Sequence, residues 1–311
     1  MEKKSILVSG ADGYIALHLI RRLRELGFQV CTASRSHSGD LYMDFSQPER
    51  VAGISVSGIE TMIHTVSPNE GLYKTDPYRA AAENAAGIHA ALDFCVQNQI
   101  KNFIYFSSFH VFGNQEGCLD EKTPVSPCND YGLAHCISEQ TVLMYDRQKK
   151  LNAWIIRPSN LFGVPEYLDK FKRWNLIPFA FCKEAAGRRT ISLLTPGNQL
   201  RNFVGINDVI CKVVWILENT PSQRLLHAFG NETISVYEYA LRVQAISSEI
   251  IGAPVQIYRP EGGGQTKRFT FSSVQKDPEI LPRDSLDDFI RELTTKLIVR
   301  QDEIRGHNEN L

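Results

Sequence analysis

Short apolar runs alternate with longer stretches of helical periodicity through the first half of the chain, and this alternation constrains the fold most. "SILVS" (5–9) is a compact apolar run of the kind that forms a strand buried on both faces. Residues 13–26 carry Ile15, Leu19, Leu23 and Leu26 at helical spacing, and Gly27 stops that helix. "FQVCTAS" (28–34) is a second strand and "TMIHTV" (61–66) a third, with a weaker one near "DLYMDF". A long alanine-rich helix follows over 77–98, then strand "NFIYFSS" (102–108), a helix over 131–149 and strand "AWIIRP" (153–158). Strands separated by helices imply an α/β fold whose parallel sheet is covered on both faces. Right-handed crossovers make that sheet doubly wound, and such sheets bind ligands beyond the C-terminal ends of their strands.

Beyond Pro158 the regularity weakens. "LFGVPEYLDKFKRWNLIPFAF" is aromatic and irregular, and "GNETISVYEYALRVQAISSEIIG" reads as a short turn before a capped helix. "PEGGGQTKRF" is a glycine-rich loop without a Walker pattern around it. "RNFVGINDVICKVVWIL" looks like a further strand and helix returned to the larger unit. The expected organisation is a dinucleotide-binding domain, 1–164 plus 201–231, and a smaller substrate-binding domain, 165–200 plus 232–311.

With 311 residues, 43% of them apolar, 22% charged, and a net charge of −1, the chain is an ordinary globular protein. That balance offers nothing to nucleic acid or an anionic membrane. The seven cysteines form no C-x-x-C pair, which points to reduced thiols in a cytoplasmic protein and to no metal site. Gly10, Asp12 and Gly13 interrupt the N-terminal apolar run, so no signal peptide is expected there. No uninterrupted apolar stretch is long enough for a membrane span.

The segment "SILVSGADGYIALHLIRRL" sets Gly10 and Gly13 directly after a strand and at the start of a helix. Gly10 permits the tight turn, Gly13 lets backbone N–H groups approach a pyrophosphate, and the helix N-terminus contributes partial positive charge. Ala16 stands at the third glycine position, where a small residue allows close helix–strand packing. The adenosine ribose would lie at the end of the second strand. There the acid that holds a ribose diol is replaced by Ser34, followed by Arg35. An arginine suits a 2′-phosphate, and NADP is therefore favoured over NAD, while the carboxylate of Asp12 argues the other way. Arg35 can also be read as a solvated surface residue.

Seven segments in order resemble the extended short-chain dehydrogenase/reductases of the nucleotide-sugar epimerase/dehydratase type. "SGADGYIALHL" resembles T-G-x-x-G-F-I-G, "GDLYMD" resembles G-D-x-x-D, and "MIHTVSP" resembles V-I-H-L-A-A. "FIYFSSFHVFG" resembles F-V-Y-x-S-S-x-x-V-Y-G, and "DYGLAHCISEQ" resembles Y-x-x-S-K-x-x-x-E. "IIRPSNLFG" resembles R-P-x-N-x-Y-G, and "QLRNFVGINDV" resembles R-D-F-V-H-V-D-D-V. The resemblance implies a Rossmann-like sheet with a smaller C-terminal substrate-binding domain. It implies a cofactor site of Gly10, Asp12, Gly13, Tyr14, Ile15, Ser34, Arg35, Asp44, Phe45, Thr65, Val66, Asn84, Ser107, Tyr131, His135 and Pro158. It also implies substrate contacts from Phe109, His110, Asn160 and Arg201, with Arg201 reaching the diphosphate of a nucleotide sugar. A homodimer through the helices near 77–98 and 131–149 is implied as well.

By the same resemblance Tyr131 is the acid/base, helped by Ser108. A free phenol has a pKa of about 10, too high for an efficient base near neutrality, and the family supplies a lysine four residues on to correct this. Here that position is His135, and Ala134 replaces a common serine. Imidazole is shorter and mostly neutral near pH 7, so His135 is either a weakened, titratable stand-in or a drifted residue in an idle site. His110 is either a proton-transfer group or a packing and substrate-contact residue. The acidic pair of the dehydratases is Phe109–His110 here, which disfavours a 4,6-dehydratase. The resulting expectation is an NAD(P)-dependent epimerase or ketoreductase acting on a nucleotide-activated sugar. A catalytically degenerate NAD(P)-binding sensor or scaffold, and a reductase of a small carbonyl compound, are the alternatives.

Overall fold

The computed structural model describes residues 4–308 except 37, 69, 115 and 264–266. Residues 264–266, part of the glycine-rich loop, and residues 1–3 of the N-terminal run therefore lie outside the described residues.

In chain order the elements begin with β1 (Ser5–Ser9), α1 (Tyr14–Glu25), β2 (Gln29–Ser34), β3 (Leu41–Tyr42) and α2 (Pro48–Ala52). They continue with β4 (Thr61–His64), α3 (Glu70–Thr75), α4 (Pro77–Gln97), β5 (Asn102–Phe106), β6 (Gly117–Leu119), α5 (Asp130–Arg147) and β7 (Asn152–Pro158). Then come β8 (Asn160–Phe162), α6 (Ile177–Arg188), β9 (Thr190–Ser192), β10 (Leu200–Gly205), α7 (Ile206–Asn219) and β11 (Leu225–Ala228). The chain closes with β12 (Glu232–Ser235), α8 (Val236–Ile251), β13 (Gln256–Tyr258), β14 (Phe269–Phe271) and α9 (Leu286–Asn308).

Seven parallel strands form the main sheet in the order β11-β7-β5-β4-β1-β2-β3. Successive side chains of a strand point to opposite faces, and the two cores show it. Ile6, Val8, Ile63, Ile104 and Ile156 join one core under α1 and α7. Leu7, Met62, Phe103, Ala153 and Ile155 join the other under α4 and α5. Each fully buried Ile or Leu contributes about 1.5–3 kcal/mol. Ala16 is fully buried in the first of these cores, the close packing its small side chain permits. Leu26 and Gly27 end α1, with Gly27 at φ +84°, the left-handed conformation that glycine tolerates.

A third core, rich in Phe179, Phe181, Tyr239, Phe289 and Ile290, joins α6, α8 and α9. α8 carries a full capping box between Ser235 and Glu238, and ends at Gly252 with φ +68°. The structure departs from expectation in this half. β10 pairs with β8 and β12 rather than with the main sheet, whereas α7 does pack on it. The seventh strand of the main sheet is β11, within "RLLHAFG", too short and too interrupted to be seen by its pattern. The segment before α8 is a strand, β12, rather than a turn. In each case the pairing partner, remote in sequence, decided the outcome.

The sheet positions the site through its topology. The chain leaves β1 for β2 on one side and returns to β4 on the other, which opens a crevice between the two connections.

Candidate functional site

A cleft of about 1080 Å³ occupies that crevice. Of the residues singled out from sequence, Gly10, Asp12, Gly13, Tyr14, Ser34, Arg35, Asp44, Phe45, Thr65, Val66 and Asn84 line it. Gly10 closes the turn after β1 with φ +75°, and a Cβ there would lie 2.7 Å from Thr65 Oγ1. Gly13 N–H donates to Gly10 O at 2.7 Å. α1 starts at that turn with Gly13 as its N-cap, no capping side chain and no acid in its first turn. Its first N–H groups therefore lack side-chain acceptors at the positive end of the helix dipole, an arrangement that fits a pyrophosphate. Tyr14 does not face this work with its hydroxyl, which donates to Gly163 O at 2.9 Å. Ile15 packs against the core instead of the cleft.

At the adenosine end, Ser34, Ser36 and Ser38 all donate to the carboxylate of Asp12, the last at 2.5 Å. Partial burial opposes ionisation of Asp12, and the three hydroxyls outweigh it, so the carboxyl is held below its ordinary range. Lys170 adds a positive field there. Arg35 is exposed, lines the cleft and acts on Asp44, whose carboxylate also accepts from Ser46 at 2.7 Å. Phe45 packs edge-on against the buried His64, with ring centroids 4.8 Å apart. The residue set thus holds donors for phosphate and a carboxylate for a diol within one small surface.

The chemical end is assembled from several elements. Asn129 caps α5 by accepting from Gly132 N–H at 2.8 Å, which places Tyr131 in the first turn. A Cβ on Gly132 would lie 2.4 Å from His110 O, so glycine is what lets α5 approach the 109–112 turn. Ser108 caps that turn by accepting from His110 N–H at 3.3 Å, and its hydroxyl acts on the Tyr131 phenol, pulling its pKa down. Burial raises the phenol pKa above its ordinary value, while Arg173 and the Ser108 bond pull it down and Glu70 pushes it up. The His110 ring meets the Tyr131 ring edge-on at 5.5 Å and lies against Phe109 at 4.6 Å. Burial lowers the His110 pKa; Glu70 opposes this and Arg201 reinforces it.

His135 lies inside the fold, only 3% exposed. Its Nδ1 shares a hydrogen bond with the Tyr105 hydroxyl at 2.8 Å, and its ring packs edge-on to Tyr131 at 4.7 Å. Its Nε2 is buried with no hydrogen-bond partner among the described residues. Burial pushes its pKa down to about 3, so it is neutral near pH 7. Of the two readings of His135, desolvation favours the one in which the imidazole is neutral and carries no charge in place of the lysine.

Other anticipated residues have supporting positions. Ser107 donates at 2.5 Å to Glu139, which also holds Arg157 by two bonds of 2.7 and 2.6 Å, tying α5 to β5 and β7. Asn84 donates to Ala134 O at 3.1 Å and Ser138 Oγ at 2.9 Å, joining α4 to α5. Pro158 is buried at the end of β7, and Asn160 donates to Asn202 O at 2.9 Å. Phe109 is buried beside Phe271, and Arg201 is half-buried with one guanidinium nitrogen donating to Leu200 O. Tyr131, Ser108, His110 and Phe109 come together, with Arg201 near His110. The sequence reading missed Tyr105, Glu70 and Arg173. The run of Lys170, Lys172 and Arg173 in "LDKFKRWN" was a visible signal for the last of these, because three cations so close are rarely all idle near a phosphate site.

The described residues contain no group of His, Cys, Asp and Glu side chains able to hold a metal, and no helix among them is long and apolar enough to cross a membrane. Among curated proteins, the chain is 22% identical over 278 residues to a dTDP-4-dehydro-6-deoxy-D-allose reductase of Streptomyces bikiniensis, covering 82% of this chain and 83% of that one. Its fold matches RMD from Pseudomonas aeruginosa complexed with NADPH, with TM-score 0.78 at 15% identity over 96% of this chain and 100% of that one. It also matches a UDP-glucuronic acid 4-epimerase from Bacillus cereus in complex with NAD, with TM-score 0.74 at 17% identity over 94% and 96% of the two chains. The model of the NAD dependent epimerase/dehydratase family matches residues 6–228, most of the chain, and reaches every strand of the main sheet. With the glycine turn, the switch-point cleft and the Ser108–Tyr131 pair in place, the chain belongs to the NAD-dependent epimerase/dehydratase family.

Proposed function

We propose that this protein is an NAD(P)-dependent oxidoreductase or epimerase that acts on a nucleotide-activated sugar. The observation that carries the reading is the glycine turn and cleft after β1 together with Ser108 and Tyr131, set at the starts of the 109–112 turn and of α5 and joined through His110, whose ring meets Tyr131 at 5.5 Å. When bound, the nicotinamide cofactor supplies a hydride acceptor or donor for a sugar carbon. Tyr131 moves the proton of the hydroxyl on that carbon, and Ser108 hydrogen-bonds the same oxygen as its charge changes. Gly10, Gly13 and the first turn of α1 hold the pyrophosphate. Arg201, from β10, meets the diphosphate of the sugar nucleotide, a task that suits a guanidinium.

Finer assignments follow from the same surfaces. Arg35 and Lys170 line the cleft near Asp12, whose carboxylate is already engaged by Ser34, Ser36 and Ser38, and these cations support NADP over NAD. Phe109 and His110 offer no carboxylate pair, which argues against sugar 4,6-dehydration. Leu133 and Ile137 on α5 and Tyr78 and Val96 on α4 are exposed apolar side chains, as a homodimer through these helices requires. The seven free thiols fit a cytoplasmic protein. A unit of 1–164 plus 201–231 and a unit of 165–200 plus 232–311 would hold the substrate between them, with the β8–β10–β12 sheet bridging their boundary.

The test is turnover of a panel of nucleoside-diphosphate sugars with NADPH and NAD, with UDP as competitor. Turnover that is inhibited by UDP and lost in Tyr131→Phe is the expected result. The neutral, buried His135 supports a second reading, a cofactor-binding sensor. Cofactor binding without turnover in both wild type and His135→Lys would establish it. Turnover of small carbonyl compounds insensitive to UDP would instead point to a different substrate class.

A further inference from the structure

At the end of β2 the rim of the cleft brings three hydroxyls onto one carboxylate. Ser34 is the last residue of β2, and Ser36 and Ser38 follow it at alternate positions. All three donate to Asp12, Ser34 and Ser36 to Oδ2 and Ser38 to Oδ1 at 2.5 Å. The hydroxyls also touch one another, Ser34 with Ser36 and Ser36 with Ser38, each at 2.8 Å. Ser36 N–H donates to Ser34 Oγ at 3.1 Å. The segment is pinned where it turns back along β2. Thr32 N–H and the Thr32 hydroxyl both donate to Asp40 at 2.8 Å, and Asp40 N–H donates to Thr32 Oγ1 at 3.0 Å. The three hydroxyls thus form a nest for an anion, and the anion in it belongs to the chain. Asp44, a second carboxylate lining the cleft, holds none of them: it accepts from Ser46 at 2.7 Å and Gln47 at 3.1 Å in its own turn.

Asp12 lies in the glycine turn between Gly10 and Gly13, and Ser34 ends the neighbouring strand. In a doubly wound sheet the pyrophosphate meets that turn and the adenosine ribose meets the end of the second strand, so the nest sits where the ribose 2′ position arrives. Given the dinucleotide-binding reading above, on which this rests, we propose that Asp12 decides between the two dinucleotides by filling, with its own carboxylate, the hydroxyl nest that a 2′-phosphate would take. A serine hydroxyl has one hydrogen. While that hydrogen points at Asp12 it is not available to a phosphate, and the carboxylate meets the phosphate as a like charge. Arg35 and Lys170 line the same cleft and pull the other way. Cofactor preference is then a difference between opposing contributions, and the chain carries a built-in charge against the dinucleotide that its cations attract. Asp12 and Ser36 are exposed, so the nest can open without disturbing the cores on either face of the sheet.

The test is calorimetric and needs no turnover. NADPH is compared with NADH, and 2′,5′-ADP with 5′-AMP, a pair that differs only in the 2′-phosphate. Asp12→Ala is expected to move both affinity ratios about tenfold towards the phosphorylated member, the size expected for removing one like charge at a solvated surface. Replacing Ser34 and Ser36 together by alanine in the Asp12→Ala background should cancel most of that gain, because the freed hydroxyls are what the phosphate then meets. Ratios that stay within about twofold of wild type in Asp12→Ala overturn the proposal. A gain that survives the loss of both hydroxyls also overturns it, since the nest would then play no part. Shifted ratios in a protein that turns over no nucleotide sugar keep the assignment of Asp12 and remove the oxidoreductase reading. Failure of the wild type to bind either dinucleotide removes both.

Discussion

At the phosphate end of the cleft the groups that would meet a ligand are backbone N–H groups, set by Gly10, Gly13 and the start of α1 within a single stretch of chain. At the other end they are side chains from α3, β5, the 109–112 turn and α5, with Tyr73, His110 and His135 packed against the Tyr131 ring and Tyr105 bonded to His135. The first end is tolerant of side-chain change and intolerant of added Cβ atoms. The second depends on side chains that separate elements bring to one place. A missing lysine on α5 therefore has a different meaning from a missing glycine in the turn would have.

The sharpest break in this comparison is expected at Tyr131. Tyr131→Phe should lower kcat by about 10²–10⁴-fold, the usual weight of positioned acid/base catalysis, while cofactor affinity measured by calorimetry stays within about twofold. An equal loss of affinity would mean that the two ends are not separable.

Gly10→Ala should act the other way. A positive φ and a 2.7 Å approach to Thr65 Oγ1 leave no room for a methyl group. A strain of about 1–3 kcal/mol corresponds to a loss of about 10–100-fold in cofactor affinity. Tyr131 mutants retain binding and Gly10 mutants lose it, if each end is built as described.

Acid stability compares the ends through one buried histidine at each. Burial lowers the pKa of His64, beside Phe45, and of His135, beside Tyr131, to about 3. The unfolded chain takes up a proton near pH 6.5 and the folded chain does not, so stability is full above that pH and falls as pH drops towards 3. Chemical denaturation at pH 7 and pH 5 should differ by on the order of 2 kcal/mol for each such histidine. His135→Gln should remove its share of that difference and leave the share of His64.

The smallest effect is at the adenosine rim. Arg35 is exposed, and Arg35→Ala should raise KM for NADPH by about 5–10-fold with little change for NADH, since an exposed contact to one charged group contributes on the order of 1 kcal/mol. An equal change for both cofactors would make Arg35 a general electrostatic residue and not a 2′-phosphate partner.

Much of the fold was legible because it is written in local periodicity. β1 falls at Ser5–Ser9, and α1, α4 and α5 fall within two residues of their expected limits, each with one apolar face and a recognisable stop. β11 and the pairing of β10 were not legible, since a four-residue strand takes its place from neighbours in space. The glycine turn was readable for the same reason as α1, being continuous in sequence. Tyr105 was not readable as the partner of His135.

By itself, then, the sequence determined the parallel sheet, the glycine turn after β1, the tyrosine at position 131 and the histidine where its relatives carry a lysine. Those features depend on neighbours a few residues away, where periodicity, glycine conformation and motif spacing act. The tertiary structure alone decided that His135 is buried beside Tyr105, where desolvation favours its neutral form. Charge state follows from dielectric surroundings and from which groups meet, and both depend on segments brought together by folding rather than by sequence.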